Sequence, residues 1–189
     1  MAVSGISSRT FYTLHWPLVL PNVHAGDFML VQFGHNDEGD PADKSRARAS
    51  LPGTGPETRD ILNPLTGEHE LVHTYGWYLR QMIAEAKQKG VTLVLCTPVP
   101  RKIWVDGKIK RDGHVAWIKE VAATEHVPFI DLNEIIASRF DTLGPAGVEP
   151  MFGDANTHAT LTGARLNAAS VVTGLKTLTP DPLAPMLKP

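Results

Sequence analysis

Three short apolar runs constrain this chain more than any other feature, because each stops at residues that cannot prolong it. Phe28-Met29-Leu30-Val31-Gln32-Phe33 stops at Gly34-His35-Asn36-Asp37, and Val91-Thr92-Leu93-Val94-Leu95-Cys96-Thr97 is closed by Pro98 and Pro100. Pro128-Phe129-Ile130-Asp131-Leu132 is the third. Runs this short, bounded by Gly and Pro, read as strands buried on both faces rather than as helices. Between them the period changes. Over residues 73–89, Tyr75, Tyr78, Leu79, Met82, Ile83 and Ala86 recur at helical spacing, with Lys87 and Lys89 in the last turn and Gly90 as a stop. Residues 114–125 place Val115, Ile118, Val121 and Ala122 on one helix face. Helices over 133–140 and 161–178 complete the order. Such alternation predicts an α/β fold, a parallel sheet with helices on both faces. Ligand sites in such sheets gather beyond the carboxyl ends of the strands.

The remaining segments are less regular. Residues 16–23 are apolar but interrupted by Pro17 and Pro21, which favours a short helix ending in a loop. Residues 38–70 show no period, and an ordered loop of that length is usually functional. The polar turn at Asp106-Gly107 suits a small hairpin. At 189 residues the chain fits one domain, 1–189, with a core of useful size.

Charge and composition then exclude several partners. A net charge of −2 with acids and bases interspersed leaves no basic stripe for nucleic acid and no polybasic patch for a membrane. No apolar stretch approaches the ~20 residues that cross a bilayer. Residues 1–9 lack the basic and apolar regions of a secretion signal. Cys96, alone of its type, has no disulfide partner and sits in a strand, where it reads as a small buried hydrophobe. With no Walker lysine and no G-x-G-x-x-G after a strand, no nucleotide cofactor is expected, and the histidines, read as offering no close ligand pair such as H-x-x-x-H, and the lone Cys96 give no expectation of a metal.

The polar clusters at the strand ends carry the chemistry. Asn36, the turn from Pro98 to Arg101, and Asp131 fall at those ends, and His158 reaches the same edge from the loop before the last helix. In Gly153-Asp154-Ala155-Asn156-Thr157-His158 an acid lies close to a histidine. An acid, a histidine and an amide donor at a strand end are the parts that activate a hydroxyl and stabilise an oxyanion. His35 reads equally as a strand-end cap or as support for the site. Trp77 and Trp117 lie on helices, where core packing is the commoner role, whereas Trp104 lies in a polar segment and is the candidate for stacking on a ligand. Arg46, Arg48 and Arg101 suit bidentate contact with carboxylates, though each alone reads as a solvated charge.

Taken together, Ser7-Ser8-Arg9-Thr10-Phe11, Val31-Gln32-Phe33-Gly34-His35-Asn36-Asp37, His73-Thr74-Tyr75-Gly76-Trp77-Tyr78-Leu79-Arg80, Thr97-Pro98-Val99-Pro100-Arg101 and Thr157-His158 with Gly163-Ala164 resemble the SGNH, or GDSL, hydrolases. More narrowly they resemble the rhamnogalacturonan acetylesterase branch, over nearly the whole chain. That resemblance implies a flavodoxin-like three-layer α/β/α fold with a five-stranded parallel sheet. It implies a Ser-His-Asp mechanism that removes acetyl groups from a pectic polysaccharide or oligosaccharide, and an extracellular or periplasmic setting. Mapped onto this chain, His158 is the general base, Asp154 its acid, and Asn36 an oxyanion donor. Gly5 supplies a second oxyanion N–H. From residue type and placement, rather than from the resemblance, His35, Trp104 and Arg101 are the candidates to face the substrate.

Two departures from the family pattern shape the expectations. The family acid lies three residues before the histidine, where this chain has Ala155, so the role passes to Asp154, four before. The family's serine block belongs a few tens of residues before Gly5, and only four residues precede it here. Ser4, Ser7 and Ser8 read as turn and helix-capping residues instead. The expectation is therefore an N-terminally truncated domain, lacking its first two strands and hydrolysing little. Residues 28–33 would be a raw apolar edge that self-associates. The alternative is a catalytically silent carbohydrate-binding remnant, or a subdomain needing a complementing chain.

Overall fold

The computed structural model describes residues 3–179, 181 and 183–187. Contacts divide the chain into two units, residues 1–95 with 116–127, and residues 96–115 with 128–189.

In the first unit, Ser7 opens helix α1 (Ser8–Leu14) through a capping box with Thr10. A short helix α2 (Trp16–Val19) and a 3-10 turn (Leu20–Asn22) follow, as Pro17 and Pro21 require. Strand β1 (Phe28–Val31) pairs in parallel with β4 (Thr92–Cys96), from Phe28 opposite Thr92 to Val31 opposite Leu95. Helix α3 (Tyr75–Gln88) starts where the Thr74 hydroxyl accepts the Trp77 N–H. Its buried face is the predicted one, with Tyr75, Tyr78, Leu79, Met82, Ile83 and Ala86 each at most 2% exposed. Burying each large side chain of this set stabilises by roughly 2 kcal/mol. The Glu85 carboxylate on α3 accepts from the Tyr12 hydroxyl and the Trp16 indole at 2.7 and 2.6 Å, fastening α1 and α2 to it.

Two expectations need correction here. The segment 38–70 is not loop throughout, since β2 (Thr58–Leu62) and β3 (His69–His73) form an antiparallel hairpin. Its alternation is invisible in sequence because β2 buries only Ile61. Nor is β1 buried on both faces: it is two residues shorter than its apolar run, and Leu30 is 41% exposed.

The sheet order is β1-β4-β7, with β4 running out of the first unit at Leu95 and into the second at Cys96. Within the second unit the Thr97 N–H donates to Ile130 of β7 (Phe129–Ile130) at 3.1 Å. The hairpin of β5 (Trp104–Val105) and β6 (Lys108–Ile109) turns at Asp106-Gly107 as read from sequence. Helix α4 (His114–Glu125) has the predicted bounds. Helix α5 (Leu132–Val148) runs beyond the predicted end at residue 140 and is interrupted at Gly144, just before Pro145. Arg111, paired with Glu134 and Asp141 on α5, helps to hold β6 against it. Helix α6 (Leu161–Leu175) packs on α5 and β7. Among the described residues no helix is long and apolar enough to cross a membrane.

Candidate active site

The loop before α6 is pinned at both ends. Phe152 and Ala159 form an isolated antiparallel bridge, the Gly153 N–H donates to His158 O at 2.8 Å, and the Thr160 N–H donates to Met151 O at 2.9 Å. On its flank the Lys102 N–H donates to Asn156 O at 2.9 Å. Gly163, in the first turn of α6, is required by this packing, because a Cβ there would lie 2.3 Å from Met151 O.

Inside the loop, Asp154 organises the chain around itself. Its Oδ1 accepts the main-chain N–H groups of Asn156, Thr157 and His158 at 3.1, 2.7 and 3.0 Å. Its Oδ2 lies 2.6 Å from His158 Nδ1. Those N–H donors, Thr157 first, together with the imidazole, hold the Asp154 carboxyl well below the usual carboxylate range. A carboxylate on Nδ1 fixes the tautomer and leaves Nε2 to take a proton. The His158 side chain is 78% exposed, so Nε2 is accessible.

A second polar cluster lies in the first unit, at the carboxyl end of β1. Gly5 adopts φ +74°, a conformation that favours glycine, and its carbonyl accepts from Arg48 Nη1 at 2.7 Å. The Asn36 side-chain amide donates to Ile6 O at 3.1 Å, which brings Asn36 to the Gly5-Ile6 turn. An amide nitrogen has two hydrogens, so one remains for a ligand. The nearby serines are otherwise engaged. Ser7 Oγ donates to Arg48 O at 2.6 Å and Ser8 Oγ to Asp37 Oδ1 at 2.5 Å, and both residues are fully buried.

The structure thus joins Asp154 with His158, and Gly5 with Asn36. His35, half-buried, follows Gly34 beyond β1; Trp104 opens β5 opposite Ile109; Arg101, half-buried, follows the prolines after β4. The reading of the histidines as holding no close pair is overturned by the sequence itself, and a second feature also went unread. His69-Glu70-Leu71-Val72-His73 has the H-E-x-x-H spacing of zinc enzymes, which needs a helix to bring both imidazoles to one ion. Here it forms β3, which separates the two residues by about 13 Å. His69 instead pairs with Asp60 at 2.8 Å, and the His73 ring stacks on Trp77 with centroids 3.7 Å apart. The other unread feature is a second acid–histidine pair, Asp112 Oδ1 to His114 Nδ1 at 2.8 Å, where Asp112 also accepts the His114 N–H as a cap to α4.

Comparison with known proteins identifies the family. Residues 1–166 match the model of the GDSL-like lipase/acylhydrolase family. A rhamnogalacturonan acetylesterase of Emericella nidulans is 26% identical over 171 residues, 88% of this chain and 68% of that protein. The probable rhamnogalacturonan acetylesterase YesY of Bacillus subtilis is 32% identical over 185 residues, 94% of this chain and 75% of that protein. Among solved structures, a protein from Bacillus subtilis matches with TM-score 0.68 and 23% identity, over 91% of this chain but only 43% of its own. Axe2, an acetylxylan esterase from Geobacillus stearothermophilus, matches with TM-score 0.60 and 17% identity, over 90% of this chain and 68% of its own. These structural likenesses show the fold, a three-layer α/β/α arrangement built on a parallel sheet.

Proposed function

The chain belongs to the GDSL-like lipase/acylhydrolase family, and on that premise we propose that it serves to hydrolyse O-acetyl esters on a carbohydrate of the pectin or rhamnogalacturonan type. The observation that carries the proposal is the 2.6 Å contact between Asp154 Oδ2 and His158 Nδ1, with the carboxylate fixed by three main-chain N–H groups. In this reading His158 Nε2 takes the proton of an attacking serine and returns it to the departing sugar hydroxyl. Asp154 orients the ring and stabilises the imidazolium. The Gly5 N–H and the Asn36 amide stabilise the oxyanion of the acyl intermediate. His35, Trp104 and Arg101 contact the acetylated polysaccharide or oligosaccharide. We further propose that β1, at the end of the strand order, self-associates through its unpaired side.

One observation favours a second reading. With the Ser7 and Ser8 hydroxyls buried and hydrogen-bonded, neither is the nucleophile. That supports a catalytically silent carbohydrate-binding remnant, or a subdomain that works with a complementing chain. Release of acetate from an aryl acetate separates the two, measured on the 189-residue chain and on the same chain extended by the in-frame upstream codons. Activity that disappears in His158→Ala supports the esterase. Persistent inactivity with retained binding of pectin oligosaccharides supports the silent module.

A further inference from the structure

We propose that Arg46 and Arg48 form a subsite for the carboxylate groups of a uronate-containing glycan, in a groove of about 610 Å³ that Gly5 also lines. The proposal rests on the carbohydrate reading above and names the two residues that meet the uronate carboxylates of that glycan.

The groove lies wholly within the first unit, bounded by α1, the residues around Arg46 and the tip of the β2–β3 hairpin. Most polar groups in its wall already have partners. Thr10 is held in the capping box, Asn63 bonds Glu70 and the Leu65 N–H, and His69 pairs with Asp60. Glu70 is neutralised by Arg9. The charges lining the groove that are left outside an ion pair are therefore two guanidiniums and one carboxylate, Glu68, with Asp43 acting on both guanidiniums from outside the lining. Among the described residues neither Arg46 nor Arg48 forms an ion pair, and Arg48 places one N–H on Gly5 O. A guanidinium carries five N–H donors, so both side chains keep donors for a ligand.

Those two cations are also close enough to repel one another. Burial chiefly, and the charge of Arg46 after it, lower the Arg48 pKa from its ordinary value, while the charges of Asp37 and Asp43 act the other way without overcoming them. An anion between them removes that repulsion and accepts paired N–H bonds in the geometry that guanidinium and carboxylate share. Leu14 and Leu65, 62% and 57% exposed, add apolar surface to the same wall, suited to the C–H faces of a sugar ring. A neutral xylan offers this groove nothing for its charges. A chain of uronates offers a carboxylate at every ring.

The test is calorimetric titration of the full chain with trigalacturonate, which bears no ester, and with xylotriose, both at low salt. Trigalacturonate binds, xylotriose does not, and added salt weakens the binding. Arg46→Gln, an exposed position, lowers the affinity about tenfold, and the double variant R46Q/R48Q abolishes it while R46Q retains the wild-type melting curve. Equal binding of the neutral trimer, or unchanged affinity in R46Q, overturns the subsite. Because the titration reads binding and the acetate assay reads turnover, the two readings fail separately. Trigalacturonate binding with no aryl acetate hydrolysis by the extended chain removes the esterase and leaves the subsite; hydrolysis by the extended chain without trigalacturonate binding does the reverse.

Discussion

The guanidinium of Arg9 meets both carboxylate oxygens of Glu70, Nε to Oε1 at 2.7 Å and Nη2 to Oε2 at 2.5 Å. Its Nη1 donates to the carbonyls of Pro41 and Ala49 at 3.1 and 2.8 Å, so four donor contacts are made by a side chain only 1% exposed. The pair ties the helix that follows the Gly5 turn to strand β3 and to the irregular segment between β1 and β2. Backbone that would otherwise wander is fixed next to the groove and the Gly5-Ile6 peptide.

Glu70→Gln leaves the Arg9 charge buried without its counter-charge, which costs on the order of 3 kcal/mol. Thermal melting reads this directly. Burial alone would raise the Glu70 pKa, but hydrogen bonds from Arg9 and Asn63, with the Arg9 charge, bring it below its ordinary 4.5. A depressed carboxyl contributes stability that is complete above the unfolded value and disappears as pH falls through the folded one. Wild-type protein therefore loses more stability than E70Q as pH drops below about 4.5. Parallel pH dependences for the two proteins would remove Glu70 from that account.

Asp154→Asn keeps an oxygen for the three main-chain donors and alters only the partner of the imidazole. In a form of the chain that releases acetate, kcat falls about 10²- to 10⁴-fold while the melting temperature changes little. Asp154 remains ionised across the working pH range, so the acid limb of the rate profile in the wild type is not its titration. An equally active D154N would show that Asp154 serves only the loop.

Legibility in the sequence followed burial. Helix α3 was readable to within two residues because its whole inner face is apolar, and α4 because its period is unbroken. The hairpin β2–β3 was not, since Thr58-Arg59-Asp60-Ile61-Leu62 buries one side chain of five and presents the rest to solvent. Helix α5 outran its expected end because Asp141, a polar residue just past the apolar stripe, is held by Arg111 and the Ile109 N–H. At the site, the proximity of Asp154 and His158 in sequence made their pairing a natural expectation. The link from Arg48 to Gly5 O spans 43 residues and joins a charge to a main-chain carbonyl, for which no sequence period exists.

Cys96 is 3% exposed, and burial pushes its thiol up to about 12. The thiolate is the reactive form, so iodoacetamide at pH about 8 leaves the folded protein unlabelled and modifies it fully in guanidinium chloride. Mass spectrometry distinguishes the two. Rapid labelling of the native chain would mean that the end of β4 opens far more readily than its packing implies.

Gly163→Ala places a methyl group 2.3 Å from Met151 O, and backbone cannot yield as a flexible side chain would. The cost is about 1–3 kcal/mol, with the His158 loop shifted because its closing bond, Thr160 N–H to Met151 O, uses the same carbonyl. Activity and melting temperature should fall together, unlike in D154N.

Leu30→Lys tests the edge. Strand β1 stands at one end of the order β1-β4-β7 with Leu30 41% exposed, and Met29, Leu30, Val31 and Phe33 line a groove of about 340 Å³ with Val3 and Phe11. Half the main-chain groups of an end strand face away from its partner, and an apolar rim beside them invites another strand. Sedimentation velocity of the wild type shows mass rising with concentration; a lysine at position 30 must bury its charge to permit the same pairing and returns the chain toward monomer. Association that persists unchanged in L30K would place the contact on another surface, and a wild type that stays monomeric at every concentration would leave the β1 edge without a partner of its own kind.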